Sequence, residues 1–418
     1  MHITRLSLTN FRNYGRLEVS LPAGPILLHG DNAQGKTNFL EAIFYLATSR
    51  SPTADQDQQL LNWHAGHADD PLLVGRLVAD VAVDSATQTV ARQIELRLIQ
   101  ERQQGRVSFR REALINRRKV RLMDLLGQLR VVLFLPQDIS LITGPPNGRR
   151  RYLDVTLCQI DREYCRALSR YNKVLEQRNA QLRQIAETGR GEDVLPVFTD
   201  RLVSLGSLLF SRRAALLAGL AAEATRIHYE ELTGRLETLQ LHYLPRLEGN
   251  GLKAGESESS AAALATNAAW LAEAELPAIG ARLRASLDAA RATDLAQART
   301  TVGPHRDDWR AWINGRALSS FGSRGQQRSA LLALKLAEIG WIEQVTGERP
   351  ILLLDEVAAE LDEKRRRLLL DYVRRAPQAV VTATDLGMFS AQFRAGAQQF
   401  RVVSGRLEAQ PSTAGETS

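Results

Sequence analysis

The chain has 418 residues, of which 44% are apolar and 24% charged, so it is long enough for two or three units with apolar cores. Its formal net charge of +7 favours a polyanionic partner such as nucleic acid. The N-terminus has a strand-like pattern instead of a signal peptide, and no apolar run approaches the roughly 20 residues that cross a bilayer, so we expect a cytoplasmic protein with no membrane partner.

The N-terminal third has the pattern of strands. Strand and turn signals alternate over the first 37 residues, and the apolar run at 26–28 leads into a loop that contains glycine. Apolar and polar residues then alternate with period two between 73 and 115, which predicts antiparallel strands. A buried strand is expected at 131–135. These elements predict one sheet that feeds a phosphate loop and a second sheet layer.

The pattern becomes helical after the segment TGPPNG and remains so to about residue 291. Leucines at heptad-like spacing predict two long helices, and the turn ETGRGEDVLP between them predicts an antiparallel hairpin. Cys158 and Cys165 are seven apart in this helical region, so we expect them on one helix face as core residues. A polar stretch, GNGLKAGESESS, precedes a third helix near 267–291, and the last dozen residues have a disordered composition.

The segment GDNAQGKT fits the phosphate-loop pattern G-x-x-x-x-G-K-[ST] between a predicted strand and a predicted helix. Its glycines allow backbone N–H groups to surround the phosphates of ATP, Lys36 would reach the terminal phosphates, and Thr37 would hold Mg²⁺. The sequence therefore predicts a nucleotide site formed by Gly30, Asp31, Asn32, Ala33, Gln34, Gly35, Lys36 and Thr37.

The segment ILLLDEVAAELD, at 351–362, is an apolar strand that ends in two carboxylates, as a Walker B segment does. Asp355 would bind the metal, directly or through water, and Glu356 would polarise the attacking water. By itself the segment also fits a buried strand followed by a solvated acidic turn. The phosphate loop in the same chain favours the catalytic interpretation.

The segment FGSRGQQRS, at 321–329, precedes a helix and lies shortly before Asp355, and it resembles the signature motif of ABC-type ATPases. In those proteins the motif binds the γ-phosphate held by a second subunit. The resemblance implies that Ser323, Gly325 and Gln326 complete the site of another copy, so that ATP drives homodimerisation. It also implies a D-loop at Glu360, Leu361 and Asp362 and a switch strand at 380–385, where Thr382, Thr384 and Asp385 are available in place of the usual histidine.

Several motifs in order along the chain resemble the RecF family, in the SMC-like branch of ABC-type ATPases, over residues 3–390. They are LTNFRNY, GDNAQGKTNFLEAI, LFLPQD, GPPNGRRRYLD, VGPHRDD, SRGQQR and LLLDEVAAELD. The resemblance implies an α/β ATPase head with a mixed and an antiparallel sheet, an inserted helical lobe, weak DNA-stimulated ATP hydrolysis, recombinational repair at DNA gaps or junctions, and the partners RecR and RecO. It further implies that Arg12 and Asn13 face the nucleotide and that Gln137 lies in the Q-loop.

The expected boundaries are 1–135 and 299–404 for the head, 136–298 for the helical lobe, and 405–418 for a flexible tail. Two basic clusters could neutralise DNA phosphates or could be solvated turns. His305 and Arg306 could reach nucleotide or DNA, or could have a structural role. The residues of the two basic clusters are Arg117, Arg118 and Lys119, and Arg149, Arg150 and Arg151.

Other classes of ATPase fit the spacing less well. The insertion between Thr37 and Ser323 is much longer than in the ATPase subunit of a transporter. Each predicted hairpin arm is only about 40 Å long at 1.5 Å per residue, which is too short for the tether of a chromosome-structuring SMC protein. The segment after the Walker B motif is too short for an added nuclease domain. An SMC-like ATPase with another role on DNA remains the main alternative.

Overall fold

The computed structural model describes residues 1–65, 70–84, 89–103, 106–247 and 268–410. The chain divides into two compact units, one formed by Met1–Gln137 with Glu338–Ser418 and the other by Asp138–Ala337. Both contain helices and strands, and parallel and antiparallel pairing both occur, which confirms the predicted α/β class.

The described residues form the following elements. The strands are β1 (His2–Phe11), β2 (Tyr14–Ser20), β3 (Gly24–His29), β4 (Leu72–Asp84), β5 (Thr89–Gln103), β6 (Arg106–Ile115), β7 (Arg118–Val120), β8 (Val131–Phe134), β9 (Leu239–Leu244), β10 (Asp308–Ile313), β11 (Arg316–Ala317), β12 (Ile351–Asp355), β13 (Gln378–Ala383), β14 (Gln398–Val403) and β15 (Arg406–Gln410). The α-helices are α1 (Lys36–Thr48), α2 (Leu122–Leu125), α3 (Ser140–Thr143), α4 (Pro146–Cys158), α5 (Arg162–Thr188), α6 (Leu195–Arg226), α7 (Leu276–Ala289), α8 (Arg291–Gln297), α9 (Leu318–Phe321), α10 (Arg324–Thr346), α11 (Glu363–Arg375) and α12 (Ala391–Ala395).

The first unit contains a mixed sheet whose described strands lie in the order β15-β14-β3-β13-β12-β8. All neighbours pair in parallel except β14 and β15, which form a hairpin. Strands β8, β12 and β13 are buried along their whole length, as expected for a parallel sheet covered on both faces. Because β3 and β12 flank β13, the phosphate loop and the acidic pair follow strands that end at the same edge of the sheet.

The second sheet of this unit is antiparallel, with the described strands in the order β2-β1-β4-β5-β6-β7. Its strands carry the period-two pattern of the sequence, with Leu77, Ala79 and Val81 buried on β4. A two-residue turn joins β6 to β7, and both its residues have positive φ, 50° at Asn116 and 66° at Arg117. This conformation matches the twist of a tight hairpin.

The second unit contains the predicted helical hairpin, formed by α5 and α6, which pack against each other. They have 27 and 32 residues, or about 40 and 48 Å at the helical rise. Neither Cys158 nor Cys165 is part of a disulfide bond. They lie on α4 and α5 instead of on one helix as predicted, because a break at residues 159–161 separates the two helices.

The segment Glu192–Leu232 is long and apolar enough to cross a membrane by length and composition alone, contrary to the expectation from the sequence. Half of its most apolar 18-residue window is buried inside the protein. Its main helix α6 packs against α5, α7 and β9. These contacts are those of the core helix of a helical unit, and they account for the apolar composition.

The division into units differs from the boundaries expected from the sequence. Residues 299–337 belong to the second unit, because β10 pairs with β9 along its whole length. Within the expected tail, Arg406–Gln410 forms strand β15, and 411–418 lie outside the described residues. The polar stretch at 249–260 also lies outside them. The third predicted helix corresponds to helical residues at 268–273 and to α7, and residue 267 is not described.

Candidate nucleotide-binding site

The loop Gly30–Thr37 connects β3 to α1, as the sequence predicted. Gly30 has φ +145°, and a Cβ there would lie 2.5 Å from the Val402 carbonyl oxygen. Gly35 has φ +116°, and its Cβ would lie 2.6 Å from Asn13 Nδ2. Both positions therefore require glycine, and they leave the loop wrapped around the N-terminus of a 13-residue helix. Asp31, Asn32 and Ala33 are exposed at the tip of the loop.

Lys36 extends its side chain back along the loop, and only 4% of it is exposed. Its Nζ donates to the carbonyl oxygens of Gly30 at 2.5 Å and Asp31 at 3.0 Å. It also lies 3.1 Å from Glu356 Oε1. The three acceptors hold the ammonium group inside the loop, so an entering phosphate would compete with them for Nζ.

Asp355 ends strand β12 and contacts Thr37, the last residue of the loop. Thr37 Oγ1 donates to the two carboxylate oxygens of Asp355, at 3.0 and 2.8 Å. Burial raises the pKa of Asp355, and the hydroxyl donors Thr382 and Thr37 counteract that rise by stabilising the ionised form. Hydroxyl and carboxylate oxygens are suitable ligands for Mg²⁺, which also takes oxygens from nucleotide phosphates.

Thr382, on β13, joins the two acidic residues. Its Oγ1 donates to Asp355 Oδ1 at 2.8 Å and accepts from the Glu356 backbone N–H at 2.9 Å. Glu356 has φ +53°, in the left-handed region, and this bond helps to hold that conformation. Of the three switch-strand candidates, the structure brings Thr382 to the Asp355 carboxylate and the Glu356 backbone. Thr384 is exposed, and Asp385 accepts from the Gly387 N–H at 2.7 Å.

We expect Thr382→Val to lower the turnover of ATP about 10- to 100-fold with a smaller change in KM, because valine keeps the shape but removes the hydroxyl that bonds the Asp355 carboxylate and the Glu356 backbone. The acid limb of the rate profile should move to higher pH, since a donor that favours ionised Asp355 is lost. Steady-state kinetics across pH would measure both effects. Thr382→Ser should restore activity, and full activity in Thr382→Val would remove this role.

Asn13, in the turn after β1, and Tyr14, the first residue of β2, support the phosphate loop. Asn13 Nδ2 donates to the Gln34 carbonyl at 2.9 Å, and its Oδ1 accepts from Asn38 Nδ2 at 2.8 Å. The Tyr14 hydroxyl, which the sequence did not single out, donates to the Gly35 carbonyl at 2.9 Å. Its position beside Asn13 in the NFRNY motif is the sequence feature that could have identified it as a site residue.

Arg12 is directed to an acidic residue of the first helix. Its Nε and Nη2 lie 2.7 and 2.9 Å from the two carboxylate oxygens of Glu41, whose side chain is 1% exposed. Its Nη2 also donates to Thr53 Oγ1 at 2.8 Å. Gln137 is exposed in a short helical turn after the edge strand β8. For both residues a direct role at the nucleotide stays a prediction.

The signature segment begins helix α10. Ser323 Oγ accepts from the Gln326 N–H at 3.2 Å, and Gln326 Oε1 accepts from the Ser323 N–H at 2.8 Å. This reciprocal pair is a capping box, and it leaves Ser323, Arg324 and Gly325 exposed at the positive end of a 23-residue helix. Gln326 Nε2 is fixed by Glu237 Oε1 at 2.7 Å.

The expected D-loop residue Asp362 caps helix α11. Its carboxylate accepts from the Arg365 N–H at 2.9 Å and forms an ion pair with the Arg365 guanidinium. Leu361 is buried and Glu360 is exposed. Asp362 therefore has a local structural role, and its place in a subunit interface stays a prediction.

The basic cluster at 149–151 is largely used inside the protein. Arg149 is buried, and its guanidinium binds both carboxylate oxygens of Asp308 at 2.6 and 2.9 Å. This ion pair neutralises the charge of Arg149 in the core and disfavours a contact with DNA, which stays a prediction. Arg150 is partly buried and donates to the Asp307 carbonyl at 2.6 Å, whereas Arg151 is exposed.

The cluster at 117–119 lies on the β6–β7 hairpin. Arg117 and Arg118 are exposed, and Lys119 Nζ lies 2.9 Å from Glu112 Oε1 on the neighbouring strand. The Lys119 pair is solvated and contributes little to stability. A DNA contact of this hairpin stays a prediction.

The motif VGPHRDD is anchored in the second unit by a buried polar network. Asp307 accepts from Arg213 Nη1 at 3.1 Å and from the Tyr243 hydroxyl. Burial raises its pKa to about 6 although both donors favour ionisation. His305 hydrogen-bonds the Tyr171 hydroxyl at 2.9 Å, and burial lowers its pKa to about 4, so it is neutral at physiological pH. These contacts favour a structural role for His305 over a contact with nucleotide or DNA.

The chain is similar over nearly its whole length to known proteins. A family model described as RecF/RecN/SMC N terminal domain matches residues 2–405. The DNA replication and repair protein RecF of Chloroflexus aggregans is 41% identical over 413 residues, which cover 97% of this chain and 99% of that protein. The protein of the same name from Roseiflexus castenholzii is 39% identical, again over 97% of this chain and 99% of its own.

Two solved structures of the recombination mediator protein RecF in the RecFOR pathway, named RecF-ATPrS and RecF-ATP, are also similar. Their TM-scores are 0.80 and 0.79, each at 29% identity and with 98% of both chains covered. The likeness therefore extends over both compact units.

Proposed function

The chain belongs to the RecF family, and from this membership we propose that it is an ATP-hydrolysing DNA replication and repair protein of the RecFOR pathway. The observation that carries the ATPase proposal is the convergence of Lys36, Thr37, Asp355 and Glu356 at one edge of the mixed sheet. A chain with this site and a net charge of +7 is suited to couple nucleotide to a polyanion in the cytoplasm.

In the proposed site, loop N–H groups and Lys36 bind the phosphates of ATP. Thr37 and Asp355 would hold Mg²⁺, which supplies positive charge at the terminal phosphates. Phosphate oxygens that take over Lys36 Nζ would release Glu356 from its ion pair. The freed carboxylate can then orient a water molecule against the γ-phosphate and accept its proton.

We expect Lys36→Met to weaken ATP binding about 10- to 100-fold, because a charged donor to the phosphates is lost. Equilibrium titration with a fluorescent ATP analogue would measure this. Lys173→Met, which removes the same charge from an exposed position on helix α5, is the matched control. Equal affinities in the two variants would refute the proposed phosphate loop.

The proposed assembly is a homodimer in which ATP lies between two heads. The exposed positive end of helix α10, with Ser323 and Gly325, is a suitable partner for the γ-phosphate bound by a second copy. Asp362, at the end of the segment after the Walker B motif, is assigned to the same interface. Closure of the dimer on DNA gaps or junctions would then promote recombinase loading together with RecR and RecO.

A further inference from the structure

The second unit contains a cavity of about 780 Å³ among helices α7, α8 and the segment that follows them. Four arginines line it: Arg246, Arg282, Arg299 and Arg306. Among the described residues of its lining, none has a carboxylate. We call it the arginine cavity. No residue of either predicted basic cluster lines it.

Two of these arginines, Arg299 and Arg306, donate to neutral groups. Arg306 Nε and Nη2 donate to the Thr300 carbonyl oxygen at 3.3 and 3.2 Å. Arg299 Nε and Nη2 donate to Gln297 Oε1 at 3.1 and 3.0 Å. The Arg282 guanidinium lies 5.1 Å from the centre of the Trp270 ring, a cation–π distance. These contacts fix the side chains without neutralising Arg299 or Arg306.

Neighbouring arginines outside the cavity are paired differently. Arg284, two residues after Arg282 on helix α7, lies 2.7 Å from Asp200 Oδ1. Arg291, on helix α8, lies 2.8 Å from Glu192 Oε2. Arg284 and Arg291 are thus paired with carboxylates, unlike Arg299 and Arg306.

The accumulated positive charge is evident at Arg306. Burial lowers its pKa, and the charges of Arg299 and Arg246 lower it further. Asp294 acts in the opposite direction, but it is fully buried and bound to Arg178 at 2.8 Å. Like charges held close together are unfavourable unless an anion binds between them.

The VGPHRDD motif builds this cavity. Gly303 has φ +127°, and its N–H donates to the Arg246 carbonyl at 3.0 Å. The Arg306 N–H donates to the Gly303 carbonyl at 2.9 Å, and the buried carboxylate of Asp307 accepts from the Arg246 N–H at 3.1 Å. The motif therefore holds the backbone of Arg246 and of Arg306 at the cavity.

We propose that the arginine cavity binds backbone phosphates of a nucleic-acid strand. The inference rests on the proposed DNA function and assigns that function a surface. Guanidinium groups match pairs of phosphate oxygens, and several arginines in one cavity can bind more than one phosphate. Contacts of this kind fix the position of a strand and carry no base preference.

The test compares Arg299→Gln/Arg306→Gln with Arg284→Gln/Arg291→Gln, which removes the same charge from the same unit. With duplex DNA, the cavity variant should bind at least about tenfold more weakly at low salt. The plot of log K against log salt has a negative slope, and its magnitude should decrease by roughly 1.8. The control should keep the wild-type slope. If the cavity variant has a lowered melting temperature, the single Arg299→Gln should still reduce the slope by about 0.9.

The outcomes separate the two proposals. Equal slopes in the cavity and control variants, with DNA binding by the wild type, would overturn the cavity assignment alone. A wild type that binds no DNA in any nucleotide state would overturn the proposed function itself. Inorganic pyrophosphate, titrated by calorimetry in a Lys36→Met background, tests the remaining source of phosphate. Pyrophosphate binding that requires Arg299 and Arg306, with unchanged DNA binding in the cavity variant, would assign the cavity to a free phosphate ligand and overturn the proposal.

Discussion

Replacing Glu356 by glutamine is expected to reduce ATP hydrolysis by about 10²- to 10⁴-fold while ATP remains bound. Glutamine keeps the size and hydrogen-bonding shape of the side chain but cannot accept a proton from water. The substitution also removes the charge that pairs with Lys36 Nζ at 3.1 Å, so Lys36 becomes more available to the phosphates. ATP affinity should therefore be equal to or higher than that of the wild type.

Single-turnover hydrolysis and nucleotide retention after rapid desalting would measure the two effects separately. Glu363→Gln is the matched control, because Glu363 is exposed in the first turn of helix α11 and pairs only loosely with Arg367, at 3.5 Å. Wild-type turnover in Glu356→Gln would mean that another group activates the water. Loss of ATP binding would mean that Glu356 has a structural role in the loop.

Ser323→Arg is expected to abolish ATP-dependent dimers and hydrolysis while the affinity of the monomer for ATP changes little. The arginine removes the hydroxyl from the exposed helix end and fills the space that a γ-phosphate would enter. It also removes the cap on the Gln326 N–H, at a cost of about 1 kcal/mol in the free energy of unfolding. The loss of dimer should far exceed that cost.

Light scattering with and without ATP would measure the dimer, and thermal melting would measure the loss of the cap. Ser169→Arg makes the same change at an exposed position on helix α5 and should dimerise normally. Ser323→Thr retains a capping hydroxyl and should keep the stability of the wild type. An ATP-dependent dimer of Ser323→Arg would contradict the assembly in which ATP lies between two heads.

The loop of the candidate nucleotide site was predictable because its geometry is local. Gly30 and Gly35 require positive φ, and a strand and a helix flank them in the sequence, so eight consecutive residues specify the loop. Asp355 follows a short apolar run that predicts a buried strand, and parallel pairing brings its end to the loop. Thr382 was one of three candidates, and only the strand register selected it.

The sequence could not reveal which arginines are paired with carboxylates inside the protein. A run of three arginines has the composition of a DNA-binding patch, yet Arg149 binds Asp308, 159 residues away. Arg246 and Arg299 belong to no motif, and the fold brings them to one cavity with Arg306. Whether a charge is neutralised depends on partners distant in sequence, so composition alone could not show which arginines are paired inside the protein. The unit boundary at 337 depended in the same way on the pairing of β9 with β10.

The most direct test of the proposed function is the affinity for gapped DNA as ATP and Mg²⁺ are titrated. If ATP closes a dimer on DNA, saturating ATP should tighten DNA binding by about 5- to 150-fold, and DNA should raise the apparent ATP affinity by the same factor. Glu356→Gln should show the full coupling without turnover, and Ser323→Arg should show none. An unchanged DNA affinity at saturating ATP, in both the wild type and Glu356→Gln, would contradict an ATP-controlled clamp.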